Sequence, residues 1–188
     1  YPTAMEGVYN AVDVQAGSTH SIIQKGDGTV WTAGYNYYGT LGQNATNTGS
    51  TAAAQGRNYA NPVINESKNG VLKNIVKISS GANQSIVLTE DNKVLVWGHN
   101  NVGQLATGNT TNFAYPTTMT LEQTGEELKD KVIDIGGSAN KTIVKTVDES
   151  GVKHVFITGE NKNGSLSIGN TTNVNRLVSV MNTDNTKE

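Results

Sequence analysis

The side chains that could carry chemistry are few and scattered. There are three histidines, His20, His99 and His154, and no cysteine. No H-x-x-x-H pair and no histidine–carboxylate spacing marks a metal site, and thiolate zinc ligation is excluded outright. Asp13 and Asp134 sit between apolar residues at corresponding places in similar segments. They read as repeated surface positions and not as a general acid/base pair. Glu126, Glu127 and Asp130 fall in a short polar stretch with Leu128, consistent with one solvated helical turn. Asp91-Asn92 and Asp148-Glu149 lack the ligand spacing of a calcium loop. Ser21 and Ser85 have no G-x-S-x-G elbow around them, and no glycine run leads into G-K-[ST]. The expectation is a chain without catalytic residues, cofactor or metal. What remains is a cluster of tyrosines, Tyr35, Tyr37 and Tyr38 with Tyr59. Tyrosine offers contact area at low entropic cost, so these four are the candidate protein-contact surface. The long segment 43–60 is a second candidate, because it exceeds ordinary hairpin lengths.

Composition narrows the partners. Lys plus Arg number 14 and Asp plus Glu 16, for a net charge of -2. The densest basic stretch, Lys129 to Lys131, is interrupted by Asp130. Phosphate neutralisation needs clustered cations, so nucleic acid is not expected as a partner. No run of 18 apolar residues exists, so no helical membrane insertion is expected. A cysteine-free, weakly acidic chain rich in Asn and Thr suits an extracellular or cell-surface protein of bacteria, with the cytoplasm as the alternative. The chain opens on Tyr1, which points to a processed product or a fragment.

The elements that position these residues repeat. Val12 to Ile22, Val76 to Ile86 and Ile133 to Ile143 align without gaps. Each alternates apolar and polar residues, turns, and alternates again, which predicts two half-buried strands joined by a tight corner. A second pattern, G-x-N-x-x-G-x-L, follows in each copy: Gly34, Asn36, Gly39, Leu41; Gly98, Asn100, Gly103, Leu105; Gly159, Asn161, Gly164, Leu166. Gly17 and Gly81 also share a column, and His20 and Trp97 fill fixed strand positions. The glycines suggest positive-φ corners or close packing, and the asparagines side-chain bonds within the corner. The extra residues of the third copy fit a hairpin near Asp148–Gly151. A third motif, Tyr1-Pro2-Thr3-Ala4-Met5, nearly recurs at Tyr115-Pro116-Thr117-Thr118-Met119, and Asn61-Pro62-Val63 matches it. Each unit thus holds four short strands: a Pro-led strand, the V-x-V strand, the S-I-I strand and the strand before G-x-N. The predicted units are 1–60, 61–114 and 115–174, with a surplus strand in 175–188. Four-stranded antiparallel sheets that cannot bury both faces alone stack side by side as propeller blades.

These residues resemble the regulator of chromosome condensation (RCC1) repeat. That pattern joins a G-x-x-H-S corner to D-G-x-V and then to G-x-N-x-x-G-Q-L-G. The first copy supplies Gly17, His20, Ser21, Asp27, Gly28, Val30, Gly34, Asn36, Gly39, Leu41 and Gly42. The second supplies Gly81, Ser85, Val94, Trp97, Gly98, Asn100, Gly103, Gln104, Leu105 and Pro116. The third is the most degenerate, with Ser138 and Lys141 where Gly and His are usual. The resemblance implies an all-β propeller segment of three four-stranded antiparallel blades plus the first strand of a fourth, in a family whose rings usually hold seven.

Members of that family mostly bind proteins. Some are nucleotide exchange factors, some photoreceptors, and some secreted bacterial members inhibit β-lactamase. Clustered tryptophans are missing here, since only Trp31 and Trp97 occur, and so are basic tails. The expectation is a non-catalytic protein-binding scaffold with an unknown protein partner. The alternative is an architectural repeat of a larger bacterial surface or secreted protein, adhesive or glycan-contacting. Open blade edges would favour self-association.

Overall fold

The structure, a computed structural model, describes residues 1, 5, 7–44 and 56–180. Alternating β-branched and polar residues form twelve strands. They are β1 (Ala11–Ala16), β2 (His20–Lys25), β3 (Val30–Tyr35), β4 (Gly56–Pro62), β5 (Ile75–Ser80) and β6 (Gln84–Thr89). The series continues with β7 (Val94–Gly98), β8 (Phe113–Thr118), β9 (Lys131–Ser138), β10 (Lys141–Val147), β11 (Lys153–Gly159) and β12 (Val174–Ser179). Consecutive strands pair antiparallel into three sheets, β1 to β4, β5 to β8 and β9 to β12. These are three blades of an all-β propeller. The only helical element among the described residues is a 3-10 turn, Lys162–Gly164.

The cores lie between blades. Ile22 and Val30 of the first blade meet Ile75, Ile78, Val87, Leu95 and Trp97 of the second. On the other face of that second blade, Ile86, Leu88, Val94 and Val96 meet Val132, Ile135 and Val144 of the third. This explains why β6 and β7 are buried along their whole length while β1 keeps Val12 and Val14 exposed. A strand between two apolar layers must be apolar on both faces; one with a single covered face alternates. The third-copy insertion is the β10–β11 hairpin, closed by a bond from Asp148 N to Val152 O (2.9 Å) and one from Val152 N to Asp148 Oδ1 (2.9 Å).

The grouping of strands into blades differs from the expected one. The Pro-led strand closes a blade instead of opening it: Pro62 ends β4 and Pro116 lies in β8, each the outer strand. A proline lacks the ladder N–H, so an outer strand with one free side suits it. The three sheets accordingly run over 11–62, 75–118 and 131–179 in place of 1–60, 61–114 and 115–174. The strand expected as surplus in 175–188 is β12, which pairs with β11 and completes the third blade. The expected opening strand at Tyr1–Met5 and residues 181–188 lie largely outside the described residues. So do positions 45–55 of the second candidate segment. The stretch from Glu126 to Asp130 is irregular chain, not a helical turn.

The outer strands of the second and third blades are met by the segment leaving the previous blade. Leu121 forms a parallel bridge with Leu177 of β12; Leu177 N donates to Thr120 O (2.8 Å) and Glu122 N to Leu177 O (2.9 Å). After the first blade, Glu66 accepts from Thr118 Oγ1 (3.2 Å), and the Lys68 ammonium sits 3.7 Å from the ring centre of Tyr115. Covered edges do not template further strand pairing.

Candidate interaction surface

Each blade ends in the same corner. Gly34, Gly98 and Gly159 close the third strand at φ of 109°, 106° and 107°. A Cβ there would lie 2.5, 2.4 and 2.1 Å from the carbonyl oxygens of Thr19, Asn83 and Asn140. Only glycine permits both the left-handed backbone and that approach. The next residue then donates to the same carbonyl: Tyr35 N to Thr19 O (2.8 Å), His99 N to Asn83 O (2.9 Å), Glu160 N to Asn140 O (2.9 Å). The scaffold therefore delivers residues 35, 99 and 160 to equivalent places at one end of the propeller.

The asparagine that follows is buried in all three corners. Asn36 Oδ1 accepts from Leu41 N (3.0 Å), Asn100 Oδ1 from Leu105 N (2.9 Å) and Asn161 Oδ1 from Leu166 N (2.9 Å). Asn100 Nδ2 also donates to Asn109 O and Thr111 O at 3.0 and 2.9 Å. Leu41, Leu105 and Leu166 are fully buried beneath. Gly39 and Gly103 rest on the outer strand of the next blade, each with backbone 2.5 Å from a would-be Cβ, at Ala114 and Asn175 respectively; Gly164 has no such neighbour. The corner is thereby fixed, and the positions between Asn and the second Gly vary freely. They are Tyr37 and Tyr38, then Asn101 and Val102, then Lys162 and Asn163.

Three of the four candidate tyrosines come together. The Tyr35 and Tyr37 rings are parallel within 6°, with centroids 6.0 Å apart. Tyr38 meets Tyr37 edge-on at 5.0 Å and 87°. Tyr38 then stacks on His99 of the second blade, with centroids 3.9 Å apart. Tyr35 and Tyr37 are exposed, while Tyr38 and His99 are partly covered. Tyr59 is exposed on β4 and stands outside this ring series. His99 is the member the sequence reading missed. Its only signal was the shared column with Tyr35; its contact with Tyr38 crosses a blade joint.

The His99 ring is oriented by Gln104. Val102 N donates to Gln104 Oε1 (3.1 Å), so the amide nitrogen is the group facing His99 Nδ1 at 3.5 Å. Nδ1 then accepts and Nε2 carries the hydrogen. Burial lowers the pKa of this imidazole, which keeps it neutral. Charge borders the ring series only from neighbouring segments: Arg57 of β4 pairs opposite Gly34, and Glu122 and Arg176 line a hollow with Asn101 and Val102. Segments 17–24, 34–44, 79–88 and 98–112 contain no Asp, Glu, Lys or Arg. The third blade differs, with Glu160 and Lys162 in its corner.

The other histidines do different work. His20 is buried at the first blade joint, and its Nε2 lies 3.0 Å from Ser85 Oγ. A serine beside an imidazole was not foreseen, yet the pair is not a nucleophile and base. Ser85 Oγ donates to Thr40 O (3.3 Å) and so receives the Nε2 hydrogen of His20. The far nitrogen, Nδ1, has no hydrogen-bond partner and no carboxylate behind it. Both residues are closed off from solvent. Gly17 allows the ring to sit there: a Cβ on it would be 2.3 Å from His20 Cε1. At the second joint the same columns hold Gly81 and Gln84, and Gln84 Nε2 donates to Lys141 O (3.1 Å). Trp97, also buried, donates from Nε1 to Thr40 O across the first joint (2.9 Å).

His154 Nε2 lies 3.1 Å from Asp148 Oδ2, and that bond leads the causes that hold the half-buried Asp148 carboxyl below its ordinary range. Asp134 pairs with Lys77 across the second joint, at the surface. Among the described residues no group of three or more potential metal ligands converges. A cleft of about 230 Å³ between the turn 121–124 and β12 is lined by Leu121, Phe156 and Leu177 with a single carboxylate, Glu122.

Three stacked four-stranded blades with this corner define a propeller segment built from one repeated unit. A family model described as the regulator of chromosome condensation (RCC1) repeat matches residues 27–88 and 91–144, and another of the same description matches 75–104. The chain belongs to the RCC1 repeat family. It is 31% identical over 105 residues to the X-linked retinitis pigmentosa GTPase regulator of the dog, which is 56% of this chain and 9% of that protein. It is 30% identical over 111 residues to the Drosophila melanogaster regulator of chromosome condensation, 55% of this chain and 18% of that protein. Among solved structures, human WBSCR16 superposes with a TM-score of 0.71 at 19% identity, covering 93% of this chain and 40% of that one. Prp20p of Saccharomyces cerevisiae, whose structure was reported with its binding properties to Gsp1p and histones, gives 0.70 at 14%, covering 95% and 40%. The chain thus spans about two fifths of these solved proteins and far less of the curated relatives. The structural likeness, at such low identity, speaks for the fold alone.

Proposed function

We propose that this chain is a non-catalytic scaffold that holds a protein partner against the blade ends bearing Tyr35, Tyr37 and Tyr38. The observation that carries the reading is the contrast within the corner. Gly, Asn and Leu are fixed by backbone geometry, whereas the exposed positions between them are free and, in the first blade, aromatic. Tyrosine in such a place is not needed by the fold, because Asn101 and Lys162 serve equally at the equivalent position. The buried His20–Ser85 pair supports the same reading, since no carboxylate stands behind the ring and both residues are closed off from solvent. Solved and curated relatives named for regulating or binding proteins make a protein the expected partner class. An exported location belongs to this proposal, and protease shaving of intact cells tests it.

The test is affinity capture with the native chain and a Tyr35→Ala/Tyr37→Ala variant of unchanged thermal melting. A defined partner retained by the first and lost by the second supports the scaffold. Equal capture by both, or turnover of a substrate by the purified chain, refutes it.

A further inference from the structure

We propose that two copies of this chain dock head to tail, the open face of the first blade of one copy packing on the open face of the third blade of the other. Among the described residues these two sheet faces have no blade against them. They are the two halves of a joint that the chain already builds twice. The inference goes beyond the scaffold reading and does not rest on it.

The apolar columns match. At the first joint, Ile22 and Val30 meet Leu72, Ile78, Val87, Leu95 and Trp97. Ile143 and Val155 stand in the repeat columns of Ile22 and Val30. They lie on the third blade's open face, where Ile143 is 39% exposed and Val155 half-buried. Val8, Val14, Ile23, Trp31 and Ala33 stand in the columns of Leu72, Ile78, Val87, Leu95 and Trp97. Val8 and Trp31 pack around Ile23 and Ala33, and Val14 is 62% exposed where Ile78 is buried. Each open face therefore keeps the apolar character of its covered counterpart, which marks an interaction surface.

Apolar area alone would suit many partners, and the hydrogen bonds select this one. Three bonds cross both joints in fixed columns. Ser18 N donates to Ala82 O (2.8 Å), then Ala82 N to Ala139 O (2.9 Å). That series leaves Ala139 N without an acceptor and Ser18 O without a donor among the described residues. Asn44 N donates to Ala114 O (2.7 Å), then Gly108 N to Asn175 O (2.8 Å). Gly169 N holds the same column on the third blade and has no acceptor among the described residues, while Ala60 is the matching outer-strand residue of the first blade. Gly164, which lacks the outer-strand neighbour that Gly39 and Gly103 have, would gain it there. The third bond runs the other way: Ser85 Oγ donates to Thr40 O (3.3 Å), then Thr142 Oγ1 to Gln104 O (2.7 Å). Ser21 holds the hydroxyl column on the first blade, and Ser165 O the carbonyl column on the third. Donors and acceptors thus face each other in register and in both directions, as only another blade of this repeat would supply. The chain itself carries that blade.

The long polar side chains fit the same register. Lys145 takes the column of Gln24, whose amide donates to Ile75 O across the first joint (2.7 Å), and Ala11 O is the equivalent acceptor on the first blade. Asp134, which would come to face Asp13, is already bonded by Lys77. Head-to-tail joints add copies until the rotation closes. Two copies supply six blades, within the about four to eight of propeller rings, and three would exceed them. A two-copy ring is the expected assembly.

The experiment is light scattering on the whole chain over a concentration series, with two single-face variants, Ile143→Lys and Val14→Lys. Both side chains are exposed in the single copy, and unchanged thermal melts of the dilute variants check the fold. Expected is twice the chain mass for the native protein. Each variant alone should associate at least ~10-fold more weakly, because the joint would bury an unpaired ammonium. The two variants mixed should form a one-to-one pair, since each supplies the face the other lacks. A native chain that stays monomeric overturns the proposal. So does a variant that associates as the native chain does, which means that a face meets its like, or a mixture that stays monomeric. Single-cysteine variants give a readout independent of the lysines, as the chain has no cysteine of its own. Ser18→Cys and Ala139→Cys should cross-link on oxidation when mixed and not when alone. Mixed chains that associate without cross-linking overturn the register. Tyr35→Ala/Tyr37→Ala should leave the native mass unchanged, so the assembly and the scaffold stand or fall separately.

Discussion

His20 Nε2 lies within hydrogen-bond distance of Ser85 Oγ across the first blade joint, at 3.0 Å, while His20 Nδ1 stays buried without a partner. A protonated imidazole would have to bury a charge there, and burial pushes its pKa down from 6.5 to about 4. Between those values the unfolded chain binds a proton that the folded chain refuses. The stability this neutral histidine contributes is therefore complete above pH 6.5 and is lost as pH falls towards 4. The shift corresponds to roughly 3 kcal/mol. Urea denaturation at pH 7.5, 6 and 4.5 should show the loss. The variant His20→Gln, which places at the first joint the residue the second joint already uses, should flatten the profile over that range. An unaltered profile in His20→Gln would assign the loss to other groups.

The glycine beneath each inter-blade side chain should be sensitive for packing reasons alone. A Cβ on Gly81 would lie 2.1 Å from Gln84 Nε2 and 2.7 Å from the Ala139 carbonyl, and the second of these is backbone that cannot swing away. Gly81→Ala is expected to cost about 1–3 kcal/mol. Gly136 is the matched control: it lies in β9, nothing comes within 4 Å of its would-be Cβ, and its φ is not positive. Gly136→Ala should leave stability unchanged or raise it by up to ~1 kcal/mol through the unfolded state. Thermal melts of the two variants check the contrast.

Trp97 gives the first joint an optical reporter. Its indole is fully buried, and Nε1 donates to Thr40 O, whereas Trp31 is partly exposed with Lys25 over its ring. Trp97→Phe should remove the blue-shifted component of emission and cost about 1–2 kcal/mol, including the lost hydrogen bond. The Thr40 carbonyl keeps Ser85 Oγ as a donor, so the loss is not that of a bare buried carbonyl. Fluorescence spectra with parallel urea titrations measure both effects.

Strand pairs and corners were legible because they are local. The V-x-V alternation of Val12–Val14, the corner glycines and the G-x-N pattern each report on fewer than twelve neighbouring residues. The blade boundaries were not legible. A cyclic repeat of four strands reads the same from any starting strand, and only the pairings of β4 with β3 and of β8 with β7 decide that the Pro-led strand closes a blade. The candidate surface divides along the same line. Tyr35, Tyr37 and Tyr38 are neighbours in sequence, and the corner that aims them is written around them. The stacking of Tyr38 on His99 depends on the angle between two blades, which no local pattern encodes. The His20–Ser85 contact was hidden for the same reason, as its partners are 65 residues apart.

Asn100 ties the fold to the surface and offers the sharpest test of the corner. Its Oδ1 accepts from Leu105 N, and its Nδ2 donates to the carbonyls of Asn109 and Thr111, with the side chain wholly buried. Asn100→Ala leaves one buried N–H and two carbonyls without these partners and should cost about 2–3 kcal/mol. Asn100→Asp keeps the acceptor for Leu105 but sets a carboxylate against two carbonyl oxygens. Its folded-state pKa should rise above the unfolded value, so the ionised form destabilises more than Ala at pH 7. The sign of the pH response then separates the two variants. A raised carboxyl pKa means that Asn100→Asp recovers stability relative to Asn100→Ala as pH falls from 7 to 5. Urea titrations of both at the two pH values measure it, and parallel profiles would show that the carbonyls do not feel the charge. Because His99 precedes this asparagine and stacks on Tyr38, both variants should also disturb the Tyr38 ring signals in NMR, while Asn161→Ala, at the equivalent corner of the third blade, should not.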